Sequence, residues 1–284
     1  MIVAVINNKG GTGKTTVSVN LGAGLANLGH RVLLVDLDCQ RSATRSVSDS
    51  STPPEFTSAD VLLHGIPAND AVVQTRVRRL DLLPGGMELA HTDLVLADVP
   101  GRENRLRDSL APIASSYDYI LCDCAPSLSM LPVNTLLAAD GYLVPLSPEH
   151  LAFEGLTSLL EAVHLIEEGM EVELKMLGIV LTMVTQVRFS AFHPEVRDQR
   201  EIIARVQARY GTDVFRTMIT RDPAVARAPA SALTVAEAAP KSRGARDFSA
   251  LASEFLERTH TPSQMNESDM TPHSTNMPFG EDDR

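Results

Sequence analysis

Tryptophan is absent from the 284 residues and aromatic side chains make up only 4%. That poverty excludes an aromatic-rich β-sandwich and a base-stacking platform for single-stranded nucleic acid. The three cysteines, Cys39, Cys122 and Cys124, form neither a disulfide framework nor a CxxC pair, so a reducing cytoplasm is the expected compartment. No uncharged apolar run approaches the ~18 residues of a membrane span. Met1-Ile2-Val3-Ala4-Val5 lacks the basic start and small-residue cleavage site of a signal peptide. Lysine is scarce: Lys9, Lys14, Lys175 and Lys241 stand against 21 arginines. What the chain does have is 44% apolar and 21% charged residues, enough for a sizeable core and too apolar for global disorder.

The net charge of −11 is unevenly distributed. Segment 260–284 has five acids, Glu267, Asp269, Glu281, Asp282 and Asp283, against one cation, Arg284. Segment 188–246 has eleven cations and six acids, a local charge of +5. An acidic protein with one basic block meets a polyanion at that block, although a long solvated helical surface collects arginines too.

Continuous apolar runs at Ile2–Asn7, Arg31–Asp36, Leu80–Leu83, Tyr119–Asp123, Gly141–Pro145 and Met176–Met183 predict strands buried on both faces. Helical spacing follows at Thr15–Leu28, Arg102–Ser115, Ser129–Ala138, Leu151–Glu168 and Pro194–Tyr210, with a last helix over Ala245–Arg258. The fold class is therefore α/β: a doubly wound, mostly parallel sheet with helices on both faces and ligand loops at the strand C-termini. Val47–Thr57, rich in Ser, Thr and Pro, reads as a mobile surface loop. One domain is expected over 1–259. Residues 260–284, with few apolar side chains to bury, read as a disordered acidic tail.

After the first strand comes Asn7-Asn8-Lys9-Gly10-Gly11-Thr12-Gly13-Lys14-Thr15-Thr16. Gly10, Gly11 and Gly13 let successive N–H groups converge on one concavity, to which the following helix adds its positive end. In such a loop Lys14 reaches the β- and γ-phosphates and the Thr15 hydroxyl ligates Mg²⁺. Asn8 stands where the common Walker box has its first glycine, and Lys9 is an additional cation. Two of four lysines in one loop suggest that a compact ammonium is wanted at both positions. Two buried strands also end in acids: Asp36 and Asp38 in the first case, Asp123 in the second. Beside a phosphate loop such acids hold Mg²⁺ through water or position an attacking water. A helix-capping role is the alternative for either alone.

These residues resemble the ParA/Soj family of partition ATPases, within the deviant-Walker group that includes MinD and the nitrogenase iron protein. The resemblance covers roughly 1–258. It rests on Lys-Gly-Gly-x-Gly-Lys-Thr-Thr (9–16), Asp-x-Asp-x-Gln (36–40), Asp-x-x-Pro-Ser-Leu (123–128) and Pro-Lys-Ser-Arg-Gly-Ala (240–245). Pro148-Glu149 and Phe153-Glu154-Gly155-Leu156 match a further family stretch. The resemblance implies an ATP- and Mg²⁺-dependent hydrolase in which Lys9 crosses a two-fold homodimer to the partner's phosphates. Asp38 would orient the hydrolytic water and Asp123 would bind Mg²⁺ through water. Hydrolysis would be slow, since no arginine finger is evident in cis, and a ParB-like protein would stimulate it.

The family's ATP-dimers bind double-stranded DNA without sequence preference through C-terminal cations, which implies nucleoid association and a steep salt dependence. Arg188 matches a family basic position, and Arg221, Arg227, Lys241, Arg243 and Arg246 are further candidates. Ala224 replaces a family arginine and Arg227 a family glutamate; a helix would put both on one face. Asp222 replaces the usual asparagine, which argues against base contacts there. The cargo implied is chromosome or plasmid DNA, with a protein assembly such as a carboxysome as the alternative. A MinD-like membrane ATPase would need a basic amphipathic C-terminal helix, which the acidic tail does not offer. An iron–sulfur reductase would need cysteines meeting at a dimer axis, whereas Cys122 and Cys124 read as small buried residues. A biosynthetic ligase would need a substrate pocket that the sequence does not reveal.

Overall fold

Each apolar run of the sequence becomes a strand whose two faces are both covered. The computed structural model describes residues 1–48, 53–126, 129–185 and 194–259. Its strands are β1 (Ile2–Val5), β2 (Val32–Leu37), β3 (Val73–Gln74), β4 (Leu80–Leu83), β5 (Tyr119–Cys124), β6 (Gly141–Leu146) and β7 (Met176–Leu181). They form one sheet in the order β3-β4-β2-β5-β1-β6-β7. All neighbours are parallel except β3, which runs antiparallel to β4. Every residue of β2, β5 and β6 is buried.

Alternation along the strands divides the core. Val3, Val5, Val32, Leu34 and Leu121 pack with Leu21 and Leu25 of helix Lys14–Asn27 and with Phe248, Leu251 and Phe255 of the last helix. On the other face, Leu33, Val35 and Ile120 meet Leu106, Leu110 and Leu131, while Val144 and Leu181 meet Leu156, Leu159 and Val206. Fully burying a large side chain such as Phe255 is worth about 2–3 kcal/mol. The last helix thus spends its apolar stripe inside the molecule. None of the helices among the described residues is long and apolar enough to cross a membrane.

β1 lies between β5 and β6, and the chain leaves it first toward β2 and later, from β5, toward β6. The strand order reverses there, and a crevice opens at the C-terminal ends of β1, β2 and β5.

The predicted strands and helices recur with ends shifted by up to two residues, apart from one helix that is broken. Short elements appear that the spacing did not predict, among them Val73–Gln74, Ser42–Val47, Ala68–Ala71, Thr92–Val95, Pro223–Arg227 and Val235–Ala238. The helix expected over Arg102–Ser115 is broken into a 3₁₀ turn at Arg102–Asn104, an α-helix at Arg105–Leu110 and a second 3₁₀ turn at Ala114–Ser116. Pro112 explains the break: it lacks an N–H and its ring would strike the carbonyl four residues earlier. Strand β3 has two residues, too few for any periodicity to register. Helix Ser42–Val47 was also unexpected; it begins after Arg41 turns through φ 53°. It takes Val47 out of the predicted loop, and Thr57 at the loop's other end donates its N–H and hydroxyl to Asp60. Loop residues 49–52, Arg188 and the tail 260–284 lie outside the described residues.

Candidate phosphate-binding site

The turn after β1 is fixed before any ligand arrives. Asn7 is buried, donating its side-chain N–H to the Pro145 carbonyl at 2.8 Å and accepting the Lys9 N–H at 2.9 Å. Gly11 and Gly13 adopt φ of 76° and 88°, the left-handed region that strains any residue with a Cβ. Thr182, just past β7, donates its hydroxyl to the Thr12 carbonyl at 2.8 Å and pins the loop's far side. Helix Lys14–Asn27 then starts with no side-chain cap and no acid in its first turn. Its first N–H groups are left for an anion, and the helix dipole favours one.

Lys14 is only 6% exposed, and its ammonium donates to the Lys9 carbonyl at 3.2 Å. Burial lowers its pKa, a shift that the nearby Asp123 charge opposes. A buried ammonium with one carbonyl partner among the described residues has donors to spare for phosphate oxygens.

Three acids sit beside it. Asp36 and Asp123 are opposite one another in the β2–β5 ladder and both are wholly buried. Asp36 accepts the Thr44 N–H at 2.8 Å, the Thr44 hydroxyl at 2.7 Å and the Asp38 N–H at 3.2 Å, so it is consumed in organising the turn after β2. Asp123 accepts the Ser18 hydroxyl at 2.9 Å on Oδ1, while its buried Oδ2 has no hydrogen-bond partner among the described residues. Burial raises the pKa of both acids, and the Asp36 charge adds to the rise at Asp123. An orphaned buried carboxylate oxygen costs free energy that a hydrated cation would recover. Asp123 lies beneath the cleft and does not line it, but the Thr15 side chain, which does line it, acts on the Asp123 carboxyl, and this hydroxyl–carboxylate donor set fits Mg²⁺. Asp38 is half-buried, accepts the Gln40 N–H at 2.8 Å and lines the cleft.

The cleft measures about 460 Å³ and brings Gly11, Gly13, Lys14, Thr15, Thr16 and Asp38 together. Gly10 is exposed on the loop beside it. Arg45, on helix Ser42–Val47, is an exposed cation in the same lining. It passed unnoticed in the sequence because a six-residue helix carries no periodic signal. The Ser18 contact was equally illegible, since it spans 105 residues.

Lys9 behaves differently from its loop neighbours. Its side chain is 42% exposed and its ammonium lies 3.4 Å from Glu149 Oε2. The other oxygen of Glu149 lies 3.8 Å from the Arg221 guanidinium, which brings that candidate to the rim of the phosphate loop.

The other basic candidates among the described residues, Arg227, Lys241, Arg243 and Arg246, lie on the two stretches that Asp222 joins. Its Oδ1 accepts the Ala224 N–H and its Oδ2 the Gly244 N–H, both at 2.8 Å. One carboxylate thereby caps helix Pro223–Arg227 and ties it to the start of helix Arg243–Thr259. Those backbone contacts, with Gly244 the larger, hold the carboxyl below its ordinary range. Arg227, Lys241, Arg243 and Arg246 are exposed at this corner. Ala224 packs against the core cluster while Arg227 is exposed, so the two positions do not present one shared surface.

Cys122 and Cys124 are buried on β5 with their thiols pushed up by burial, that of Cys124 to about 12. They contribute to the core.

Comparisons with known proteins agree with this geometry. A family model described as an AAA domain matches residues 1–176. The sporulation initiation inhibitor protein Soj of Bacillus subtilis (strain 168) is 36% identical over 253 residues, spanning 89% of this chain and 97% of that protein. The chromosome partitioning protein ParA of Caulobacter vibrioides (strain NA1000 / CB15N) is 36% identical over 259 residues, 90% of this chain and 94% of that protein. Among solved structures, cobyrinic acid a,c-diamide synthase from Mycobacterium smegmatis with bound ADP and magnesium is similar at 31% identity and a TM-score of 0.77. It covers 92% of this chain and 95% of its own. From the phosphate loop, the paired strand-end acids and these relatives together, the chain belongs to the ParA/Soj family of P-loop proteins.

Proposed function

We propose that this protein is an Mg²⁺-dependent ATPase that dimerises on ATP, binds duplex DNA without sequence preference and partitions chromosome or plasmid DNA. The observation that carries the reading is the divergence of its two loop lysines. Lys14 is buried in its own cleft, whereas Lys9 stands at the rim, 42% exposed, where a second subunit's nucleotide could reach it. ATP between two subunits is a polyanion that gains a counter-charge only on dimerisation, so hydrolysis weakens the species that holds the halves together.

In this reading the loop N–H groups from Gly10 to Thr16 cradle the phosphates, and Lys14 exchanges the Lys9 carbonyl for β- and γ-phosphate oxygens. Thr15 directly and Asp123 through water would hold Mg²⁺, which would neutralise charge on the phosphates. Asp38 accepts a hydrogen bond from the attacking water and orients it toward the γ-phosphorus, releasing ADP and phosphate. Arg188, Arg221, Arg227, Lys241 and Arg243 neutralise DNA phosphates, and a ParB-like protein accelerates turnover.

The similarity to the M. smegmatis cobyrinic acid a,c-diamide synthase raises a synthase instead, but a synthase would respond to a carboxylic-acid substrate and not to DNA. The deciding experiment uses the Asp38→Ala chain with ATP, Mg²⁺ and a random duplex in light scattering. A dimer that co-elutes with DNA is expected; a monomer free of DNA would overturn the reading.

A further inference from the structure

The acidic segment 260–284 has no part in the function above, and the cationic corner around Asp222 has more positive charge than the protein neutralises. We infer that residues 260–284 dock on that corner and compete there with external polyanions, a self-masking of the DNA surface that rests on the DNA-binding reading. Asp222 spends both carboxylate oxygens on backbone N–H groups of two helix starts. In doing so it joins the stretch that carries Arg221 and Arg227 to the helix start where Arg243 and Arg246 flank Gly244 and Lys241 precedes it. Arg221 shares Glu149 with Lys9, at 3.8 Å, and Arg243 leans on Asp247 at 3.9 Å. Arg227, Lys241 and Arg246 are exposed and have no carboxylate oxygen within 4.0 Å among the described residues. Elsewhere the basic block is used differently: Arg216 pairs with Glu254 and Glu257, and Arg205 and Arg209 stack on Phe153 at 5.1 and 5.2 Å.

Charge and reach both select this corner. Without this segment of five acids and one cation the chain still totals −7, so most of its surface repels the segment. Helix Arg243–Thr259 starts at the corner and runs 17 residues away from it, about 25 Å at 1.5 Å per residue. At ~3.4 Å per extended residue, the chain from 260 to Glu267 already spans that distance, and Glu281, Asp282 and Asp283 return with slack. Tethering sets a local concentration on the order of millimolar, so individually weak, salt-screened pairs suffice for occupancy. A DNA duplex, with far denser charge, displaces the segment when its local concentration is high.

The test keeps the chain full-length and removes only charge: Glu267→Gln, Asp269→Asn, Glu281→Gln, Asp282→Asn and Asp283→Asn together. At ~50 mM salt with a non-hydrolysable ATP analogue and Mg²⁺, this variant should bind a random duplex about tenfold more tightly than the parent. The two curves should converge by ~300 mM. A DNA-free readout uses the scarcity of lysine. A zero-length carbodiimide should couple Lys241 to tail carboxylates in dilute parent protein, at far higher yield than Lys175, and excess duplex should suppress it. Equal DNA affinity for both chains, or coupling no greater at Lys241 than at Lys175, would overturn the docking. If neither chain binds DNA, the functional reading fails, and the Lys241 coupling alone then decides the docking.

Discussion

Lys9 and Lys14 are joined by a 3.2 Å hydrogen bond from the Lys14 ammonium to the Lys9 carbonyl, yet their own ammonium groups go opposite ways. The loop that buries one turns the other outward to Glu149. One loop therefore separates a buried cation from a rim cation.

Replacing Lys14 by Ala removes the buried ammonium and should weaken ATP binding by about 100-fold, equivalent to ~2.7 kcal/mol, as expected for a lost charge-assisted contact. Calorimetric titration checks it. Affinity within threefold of the parent would refute the phosphate assignment.

Lys9→Ala should separate binding from assembly. Nucleotide affinity is expected to change by less than about threefold, while the dimer seen with a non-hydrolysable analogue disappears in light scattering. Dimers persisting at parental levels would remove Lys9 from the interface.

At Asp38 the substitution to Ala should lower turnover at least ~100-fold with ATP binding preserved, the size expected when a water-positioning group is lost. Single-turnover hydrolysis measures this, and near-parental rates would assign the role elsewhere.

Asp222→Ala should destabilise the fold by about 1–2 kcal/mol, because one carboxylate caps one helix and clamps a second. The carboxyl's pKa is depressed in the folded chain, so its contribution is complete above the unfolded value near 3.8 and is lost as pH falls through the lower folded value. Urea unfolding of parent and variant should differ by a constant amount from about pH 5 to 8 and converge in stronger acid. A gap that widens in acid would contradict the capping role.

The thiols offer an independent check on the core. Cys39, which is half-buried, should react with a disulfide reagent in the native protein, and Cys122 and Cys124 only after denaturation. Native titration of all three would mean that β5 is accessible.

The strands and the phosphate loop were legible in the sequence because their signals are local. A strand buried on both faces must be apolar at every position, as β2 and β6 nearly are, and Gly11 and Gly13 mark positions where other residues strain the backbone. Arg102–Ser115 has helical spacing throughout, yet Pro112 ends its α-helix at Leu110. Tertiary structure alone decided which acid is which. Asp36, Asp38 and Asp123 look alike as strand-end carboxylates, yet Thr44 takes up Asp36 while Asp123 keeps one buried oxygen unpaired among the described residues. It also turned Asp222 from a replaced asparagine into the clamp of a cationic corner and put Arg45 into the cleft. Those outcomes depend on contacts between distant parts of the chain, which fix where a side chain ends up and what remains to satisfy it.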